Sequence, residues 1–556
     1  MRAILAAFFW VVAFSAMAAD CPEGDGPFPA QYADAGLFLP ALEALSGQPD
    51  RVAPLAAVVV PHHLVVPDLI AGGIALARTQ QPERILLLFP DHFNRTGRGF
   101  ATTRRAFETV LGTVPNDTGA TQALVNAGIP ESCLFGADHG IGALLPFVAR
   151  LLPDVPIIPV ALSIHSRPEA WDRLAALLAP LAGPETLILQ STDFSHYLPH
   201  HEARLRDQQV LNILAADDED ALLRLTQPDH IDSLAALYLT RKLTQGRAAP
   251  IVLANRNQQE LSHAPLAETT SYMVIAFADH PGPMPAQMFD ETILVLGGDL
   301  FLGRNLPRML ADELATERLA EHALRATGGS PLFVNLEGVL LEEMPPDLPH
   351  LTLGMPADVA AYWLERLNIG AVGLANNHAE DLGPTGLIAT KDTLDKMGVL
   401  PVTHATTLAL PRLSLVALSD LSNTRAPYQD MITSQDLDSL LQLDARVPVT
   451  AFFHWGREKA DLPGPRERHL AREALRRGAS VIVGSHPHLA SDNPEILDGG
   501  DAIVFWSLGN FLFDQTGTDV SGALIELRMF PQGTVFARQL PLPNLFDAAR
   551  GVALSR

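Results

Sequence analysis

The chain has 556 residues, of which 47% are hydrophobic and 18% charged, so it has ample apolar material for globular cores and is not a disordered polymer. Its formal net charge of −24 argues against nucleic acid or an anionic membrane surface as a partner, because both are held by Lys and Arg patches. At this length, two large α/β domains are as natural as four small ones.

The N-terminus predicts an export signal over residues 1–19. Arg2 precedes an apolar run over residues 4–14, and residues 16–18 form an Ala-Met-Ala cleavage pattern. The run is shorter than the roughly 20 residues that a spanning helix needs, which favours cleavage over an uncleaved anchor. We therefore expect a periplasmic or secreted protein with no stable membrane span after cleavage.

The sequence contains two cysteines, Cys21 and Cys133. In an oxidising compartment they could pair, and the alternative is two unpaired thiols. Neither lies in a C-x-x-C motif, so a metal site in this chain has to use other ligands.

A proline-rich stretch, residues 280–285, separates two apolar runs and marks a domain boundary. We predict a first domain over residues 20–280, a linker over 281–290, a second domain over 291–545 and a tail over 546–556. In both halves short β-branched runs alternate with longer helical patterns, which predicts α/β architecture.

Histidines follow three predicted strands of the first half. They stand in residues 60–63, 89–92 and 190–196, and a fourth motif, Asp138-His139, opens a helical pattern. Ligands of open α/β sheets bind beyond the carboxyl ends of the strands. We therefore expect these imidazoles to share one site, which would suit Fe, Zn or Cu. A lone histidine is more often a core or surface residue, so the prediction depends on the four motifs occurring together.

These motifs resemble the Memo family, component B of the AmmeMemoRadiSam group, which is similar in fold to class III extradiol dioxygenases. The resemblance covers roughly residues 50–280, and its most specific motif is Ser191-Thr192-Asp193-Phe194-Ser195-His196. It implies two metal ligands and three groups that act as acids, bases or supports in the pocket. The implied ligands are His62 and His92, and the three pocket groups are His139, Asp193 and His196.

The third ligand departs from the family pattern. The family has a cysteine late in the domain, and Asp232 stands at that place here. Two histidines and one carboxylate are the ligand set of non-haem Fe(II) oxygenases, so the implied cofactor is Fe or Cu. The alternative is that Asp232 only caps a helix over residues 233–242.

Six predicted strands of the second half also end in polar motifs. Their carboxylates, amide oxygens and imidazoles suit Zn, Mn or Fe in a site with room for two ions. Two such ions about 4 Å apart clamp a phosphoryl group and activate a water molecule. The alternative is that Asn376, Asn377, Asn510 and the neighbouring glycines are only turn residues. The motifs are Gly297-Gly298-Asp299, Asn335-Leu336-Glu337, Ala375-Asn376-Asn377-His378, His454-Trp455-Gly456, Gly484-Ser485-His486-Pro487-His488 and Ser507-Leu508-Gly509-Asn510-Phe511.

This series resembles the CapA family, named for poly-γ-glutamate capsule synthesis and similar in fold to the calcineurin-like metallophosphoesterases. The resemblance runs from about residue 291 to 545 and implies an α/β sandwich. It also implies a general acid, His378, and a set of metal ligands. The implied ligands are Asp299, Glu337, Asn377, His454, His486 and His488.

Two departures from the family pattern concern this site. The phosphoesterase opening has a histidine two residues after the first aspartate, and Phe301 stands there, so one metal is expected to be weakly held or absent. Ser485 replaces the first histidine of a Gly-His-His-Pro-His motif, which we expect to be tolerated because the H-x-H pair is kept.

The sequence therefore predicts an exported metal-dependent hydrolase, acting on a phosphoester or an amide-type bond of a small molecule or an envelope polymer. A second hypothesis is a non-catalytic metal-binding scaffold in the biosynthesis of capsule or envelope polymers. A third is extradiol-type dioxygenase activity of the first domain.

Overall fold

The structure, a computed structural model, describes residues 26–45, 54–278, 289–349, 351–421, 431–444, 446–516 and 522–551. The predicted signal peptide and Cys21 lie outside these residues, so export and the pairing of Cys21 remain predictions. Within the described ranges, no helix is both long enough and apolar enough to cross a membrane.

The first domain is built on one seven-stranded sheet. Its strands are β1 (Leu55–Val60), β2 (Arg84–Pro90), β3 (Phe100–Thr102), β4 (Phe107–Thr109), β5 (Gly112–Val114), β6 (Ile157–Leu162), β7 (Thr186–Ser191), β8 (Ala249–Asn257) and β9 (Ser271–Ala278). The sheet order is β3-β6-β2-β7-β1-β9-β8, and β4 and β5 form a separate hairpin. The four central strands are parallel. Every residue of β1, β6 and β7 is buried, as expected for parallel strands covered on both faces.

Helices cover both faces of this sheet. They are α1 (Leu39–Ala44), α2 (Pro67–Ala75), α3 (Thr118–Asn126), α4 (His139–Gly142), α5 (Leu145–Leu151), α6 (Pro168–Leu178), α7 (His200–Ala216), α8 (Glu219–Leu222) and α9 (Leu234–Thr244). One hydrophobic cluster joins α1, α2 and α5 to the sheet. A second cluster joins α6, α7 and α9 to the opposite face.

The second domain is a sandwich of two sheets. Its strands are β10 (Thr292–Leu300), β11 (Leu332–Leu336), β12 (Val339–Leu341), β13 (Gly354–Pro356), β14 (Ile369–Gly373), β15 (Leu400–Val402), β16 (Thr406–Leu410), β17 (Leu413–Ser419), β18 (Val449–His454), β19 (Val481–Ser485), β20 (Glu495–Leu497), β21 (Ala502–Phe505), β22 (Asn510–Leu512), β23 (Gly522–Met529) and β24 (Val535–Leu542). One sheet has the order β15-β14-β11-β10-β23-β24, with β22 paired to β10. The other has the order β16-β17-β18-β19-β21-β20. The two-domain α/β prediction, with a sandwich as the second domain, is confirmed.

The core of the sandwich lies between the two sheets and is filled by residues of β10, β17, β19 and β23. Helices cover the outer faces: α10 (Leu306–Met309), α11 (Glu313–Thr327), α12 (Ala357–Arg366), α13 (Gly383–Lys396), α14 (Ser434–Leu437), α15 (Pro465–Arg476) and α16 (Leu545–Ala549). Helix α16 crosses the predicted start of the tail at residue 546, and its Leu545, Phe546 and Ala549 pack into the core of this domain.

The two domains share a buried interface between α7 and the β23–β24 hairpin. The Gln208 side chain forms two hydrogen bonds with the backbone of Val535, donating to its carbonyl at 2.8 Å and accepting from its N–H at 2.9 Å. Phe530 and Phe536 of the second domain lie in a hydrophobic cluster of the first. The contact therefore resembles a protein interior.

The end of the predicted linker touches both domains. The Phe289 ring lies so close to Gly72 on α2 that a Cβ there would come within 2.6 Å of it. Arg256 of the first domain donates to the Asp290 carboxylate at 2.8 Å. Arg412 of the second domain donates to the Asp290 carbonyl. Residues 289–290 are therefore held by contacts with both domains.

Candidate metal centres

His62 and His92 follow β1 and β2 at the carboxyl edge of the first sheet, with ring centroids 4.8 Å apart. The Ser191 hydroxyl donates to the Gly140 carbonyl, so it accepts from Nδ1 of His62, which lies 3.1 Å away. His92 Nδ1 lies 2.7 Å from Asp138 and donates to it. Both imidazoles therefore present an unprotonated Nε2, which is the form that binds a metal.

Asp232 lies between these imidazoles. Its Oδ2 is 3.3 Å from His62 Nε2 and 3.9 Å from His92 Nε2. The backbone of Asp193 holds it there, because each aspartate's N–H donates to the other residue. The capping alternative is wrong: the residue that caps α9 is Ser233, whose side chain accepts from the first turn. The structure thus brings the three predicted ligands of the first domain together.

His139 also lies within ligand distance of this group. Its ring stacks on that of His92 with centroids 3.9 Å apart, and donor atoms of His62, His92 and His139 lie within 4.8 Å of one another. A second set with the same spacing consists of His62, His63 and Asp193. His63 is not among the predicted site residues, although the adjacent histidine pair at residues 62–63 was a signal for it.

Asp193 and His196 are the remaining residues that the resemblance implies, and both lie beside His63. Asp193 Oδ1 accepts from the backbone N–H of His62 at 3.1 Å, and its Oδ2 lies 2.9 Å from His63 Nδ1. The His196 ring is 6.0 Å from that of His63. Asp193 is therefore placed to orient His62 and His63, and His196 lies next to His63.

The second domain brings its carboxylates and imidazoles together at one edge of the sandwich. Donor atoms of Asp299, Glu337 and His488 lie within 4.8 Å of one another, and so do those of Glu337, His454 and His486. Glu337 is thus common to both groups, and the two imidazoles of the H-x-H motif serve different groups. His486 and His488 adopt φ of 97° and 58°, the kind of backbone strain that is found at functional sites.

Asn377 and His378 extend this arrangement. The Asn377 Oδ1 lies 2.7 Å from His454 Nε2, so its amide oxygen is a fourth donor beside the group that contains His454. His378 Nδ1 lies 2.9 Å from Asp381 and donates to it, and its Nε2 lies 4.0 Å from Glu337. The imidazole that was predicted to be a general acid therefore stands next to the carboxylate shared by the two groups.

The turn-residue alternative applies to some of the polar residues. Asn376 donates to Asn335 at 3.0 Å, so it supports the neighbouring strand end and does not face the site. Gly509 has φ of 60° and makes a tight turn. Asn510, in contrast, accepts from His488 Nδ1 at 2.8 Å, so it orients a candidate ligand.

The two departures from the family pattern have different consequences. Phe301 is fully buried and packs against Phe513, with ring centroids 5.1 Å apart, so it offers no donor to the group around Asp299. Ser485 places its Oγ 3.1 Å from His454 Nδ1 and thereby supports a predicted ligand.

Comparison with known proteins assigns each half to a family. A family model described as "Memo-like protein" matches residues 39–232. A model described as "Bacterial capsule synthesis protein PGA_cap" matches residues 293–408 and 422–515. The chain joins a Memo-like domain to a PGA_cap domain. Both family resemblances predicted from the sequence are confirmed.

Curated relatives match one half or the other. The PGA biosynthesis protein CapA of Bacillus subtilis (strain 168) is 29% identical over 31% of this chain and 50% of its own length. A MEMO1 family protein of Methanopyrus kandleri is 30% identical over 27% of this chain and 56% of its own length. A MEMO1 family protein of Caldivirga maquilingensis is 24% identical over 40% of this chain and 82% of its own length. The chain thus spans about half the length of the first two of these relatives.

Burial and mutual repulsion shift the pKa values in the PGA_cap domain. Burial, with the charge of Asp299, raises the pKa of Glu337 to about 8. Burial lowers the pKa of His454 well below its usual value and that of His486 to about 4. Burial opposes a charged His488, but Glu337 and Asp299 outweigh it and raise its pKa to about 10. The neutral imidazoles of His454 and His486 beside the crowded carboxylates of Asp299 and Glu337 form a pattern that a cation would relieve.

The Memo-like domain shows the same pattern. Burial lowers the pKa of His62 well below its usual value, and burial together with His92 lowers that of His139 to about 4. Burial and the charge of Asp193 raise the pKa of Asp232 well above its usual value. The ionised form of Asp232 is therefore destabilised when no cation is present, and a neighbouring positive charge would stabilise it.

Unpaired buried atoms point to cations in both domains. His62 Nε2 and Asp232 Oδ1 in the Memo-like domain have no hydrogen-bond partner, and neither have Glu337 Oε2 and His486 Nδ1 in the PGA_cap domain. An unpaired buried polar atom costs roughly 1–3 kcal/mol. The residues present therefore fit metal ions, with nitrogen and oxygen donors of the kind that Zn, Mn and Fe accept.

A cleft of about 450 Å³ lies beside the PGA_cap centre. It is lined by Trp455 and Gly456, which directly follow His454, by Pro487 between the two histidines of the H-x-H motif, and by Trp506. Its size is that of a small-molecule or polymer-segment site. The cleft thus borders the segments that carry His454, His486 and His488.

Proposed function

We propose that the PGA_cap domain is a metal-dependent hydrolase that acts on a phosphoester or an amide-type bond of an envelope polymer. The observation that carries the proposal is the pair of donor groups sharing Glu337, with His378 next to them. When bound, two cations held by these groups supply Lewis acidity for the scissile group and for a water molecule. The PGA and capsule biosynthesis names of the CapA relatives support the polymer class of substrate.

The chain's own residues have separable tasks in this proposal. Asp299, Glu337 and His488 hold one cation. Glu337, Asn377, His454 and His486 hold the other. His378 donates a proton from Nε2 to the leaving group, because its Nδ1 is engaged with Asp381. The substrate chain lies in the cleft beside Trp455 and Trp506.

The experiment compares His486→Ala with His469→Ala, a control histidine on the exposed face of α15. Purified full chain is loaded with Mn²⁺, Zn²⁺ or Fe²⁺, its metal content is measured, and hydrolysis of bis-p-nitrophenyl phosphate and of a γ-glutamyl anilide is followed. We expect His486→Ala to lose metal and at least about tenfold in rate, and His469→Ala to match the parent. A parent chain that binds metal but hydrolyses neither probe would contradict the hydrolase and favour the non-catalytic scaffold.

The Memo-like domain supports a second candidate function. The convergence of His62, His92 and Asp232 is the observation that favours a non-haem iron site that oxidises a small molecule. Oxygen uptake with catechol is measured after Fe(II) is restored, in the parent, in His62→Ala and in His165→Ala, an exposed histidine of the same domain. We expect uptake to be lost only in His62→Ala. No uptake by the iron-loaded parent would reject the dioxygenase and leave a binding site.

We propose that the protein works in the periplasm or outside the cell. The apolar N-terminal run with its Ala-Met-Ala pattern supports export, and the capsule-related relatives are consistent with an envelope location. Mass spectrometry of the N-terminus of the protein recovered from its native host tests this. We expect a chain that begins near residue 20, and an intact Met1 would argue against cleavage.

A further inference from the structure

Asp207 on α7 is a buried carboxylate that neither candidate mechanism uses. Its side chain is fully buried, and its hydrogen-bond partners among the described residues are all neutral: Ser195 donates at 2.6 Å, Gln532 at 2.9 Å and Asn255 at 3.2 Å, and the Ser271 side chain is a fourth partner. Burying a carboxylate without a cation is costly unless several hydrogen bonds compensate for it. The carboxylate is thus held in place by four polar side chains that converge on it.

One of these partners lies in the segment that carries residues of the Memo-like metal centre. Ser195 stands in the sequence between Asp193, which orients His62 and His63, and His196, whose ring lies 6.0 Å from that of His63. The backbone of the Ser195 segment is fixed on one side by β9, because the Ser271 N–H donates to the Ser195 carbonyl at 2.9 Å. Asp207 fixes its side chain on the other side. The segment that carries Asp193 and His196 is therefore held by Asp207 as well as by β9.

Another partner comes from the PGA_cap domain. Gln532 stands in the turn between β23 and β24, and Thr534 in the same turn donates to Asn255 of β8 at 2.8 Å. The turn is anchored by the two Gln208–Val535 hydrogen bonds and by Phe530, which packs among apolar residues of the Memo-like domain. The tip of the hairpin, residues 530–535, is thus part of the interior of the other domain.

We propose that the hairpin tip of the PGA_cap domain positions the metal centre of the Memo-like domain through Asp207. Gln532 and Asn255 orient the carboxylate, the carboxylate holds Ser195, and Ser195 sets the spacing between Asp193 and His196. The metal affinity of the first centre then depends on a residue of the second domain. This inference rests on the proposed metal site of the Memo-like domain.

The experiment measures Co²⁺ binding in a full chain that carries His486→Ala and His488→Ala, so that the signal comes from the Memo-like centre. Gln532→Met keeps the side-chain volume and removes the donor to Asp207. We expect it to raise the Kd for Co²⁺ about tenfold, as loss of outer hydrogen bonds to ligands does, and to change the visible Co²⁺ spectrum. The matched control is Gln539→Met on β24, whose side chain donates to Ser491 within the PGA_cap domain.

The outcomes separate the coupling from the metal site itself. If the Gln532→Met chain binds Co²⁺ with the affinity and spectrum of the Gln539→Met chain, the coupling is overturned and the site stands. If the parent with intact Gln532 binds no Co²⁺, both the coupling and the metal site are overturned. Should Gln532→Met fail to fold, Thr534→Val, which removes the hydrogen bond to Asn255 and the long one from Gln532, is measured in its place and is expected to change the Co²⁺ spectrum in the same way.

Discussion

We expect Asp232 to influence which metal the Memo-like centre prefers. It places a hard carboxylate oxygen 3.3 Å from His62 Nε2, where a thiolate would favour softer ions such as Cu(I) or Zn. Its backbone is held by Asp193, so a different side chain at this position would still point into the centre.

We therefore predict that Asp232→Cys shifts the preference of the Memo-like centre from Fe(II) towards Cu(I). The comparison is a competition between the two ions under anaerobic conditions, with bound metal measured after gel filtration. Asp229→Cys, three residues earlier and outside the centre, is the control for adventitious binding to a new thiol. Unchanged selectivity in Asp232→Cys would mean that residue 232 is not a ligand.

The two donor groups of the PGA_cap centre have unequal numbers of protein ligands. The group around His486 has Asn377 as an additional donor, whereas the group around His488 has the apolar Phe301 where a histidine stands in the phosphoesterase pattern. A cation with fewer protein donors is bound less tightly and exchanges more readily with ions in solution.

We predict that Mn²⁺ titration of the intact chain shows separate tight and weak binding steps in this domain. His486→Ala should remove the tight step, and His488→Ala should remove the weak one, because each imidazole belongs to a different group. Calorimetric titration distinguishes the steps, with the Memo-like centre silenced by His62→Ala in every sample. Equal loss of both steps in each variant would contradict the assignment of one imidazole to each group.

Strand β23 carries a buried charge network. Glu526 lies directly opposite Arg538 on β24 and accepts from it at 3.0 Å, and it also accepts from Arg528 at 2.7 Å. Burial would raise the pKa of Glu526, but the two guanidinium groups outweigh it and lower that pKa. The pair of strands that carries the interdomain hairpin is thus stabilised by an ionised carboxylate.

We predict that Glu526→Gln lowers the free energy of unfolding by about 3–5 kcal/mol at pH 7, because it removes the buried carboxylate that Arg538 and Arg528 share and leaves Arg528 with Glu291 alone. A lowered folded-state pKa means that the parent's advantage is present above the usual carboxyl range and is lost as the pH falls through the folded value. Urea unfolding at pH 7 and at pH 4 checks both statements. Glu342→Gln, in an exposed pair with Lys396, should change little at either pH.

An element can be predicted from the sequence when the residues that determine it lie within the element itself. Buried parallel strands read as apolar runs, so β1, β2, β18 and β19 and the residues at their ends could be placed before the structure was known. Asp232 and His139 needed the fold to bring them to His62, because their positions depend on loops. The docking of residues 530–535 into the other domain was not predictable, because no local pattern in the hairpin distinguishes a partner domain from solvent.

At the scale of the whole molecule, the two domains form one packed body. Phe536, on β24, is fully buried among residues of the Memo-like domain, and Asn212 of α7 donates to the Gly500 carbonyl of the PGA_cap domain at 2.7 Å. An interface with such a core is more extensive than the polar contacts that usually allow domains to move independently.

We predict that Phe536→Ala destabilises the chain by about 3–5 kcal/mol and raises amide hydrogen exchange in α7 as well as in β24. Exchange measured by mass spectrometry reports both elements in one experiment. Phe93→Ala removes a half-exposed ring of the Memo-like domain and should leave both unchanged. Faster exchange confined to the PGA_cap domain would show that the domains unfold separately.

The fixed end of the linker also affects how far the two metal centres can move relative to each other. Phe289 packs against α2, and Asp290 accepts hydrogen bonds from Arg256 of the first domain and Arg412 of the second. These contacts restrict rotation of one domain relative to the other. We therefore expect the separation of the two centres to stay the same whether or not either of them is occupied.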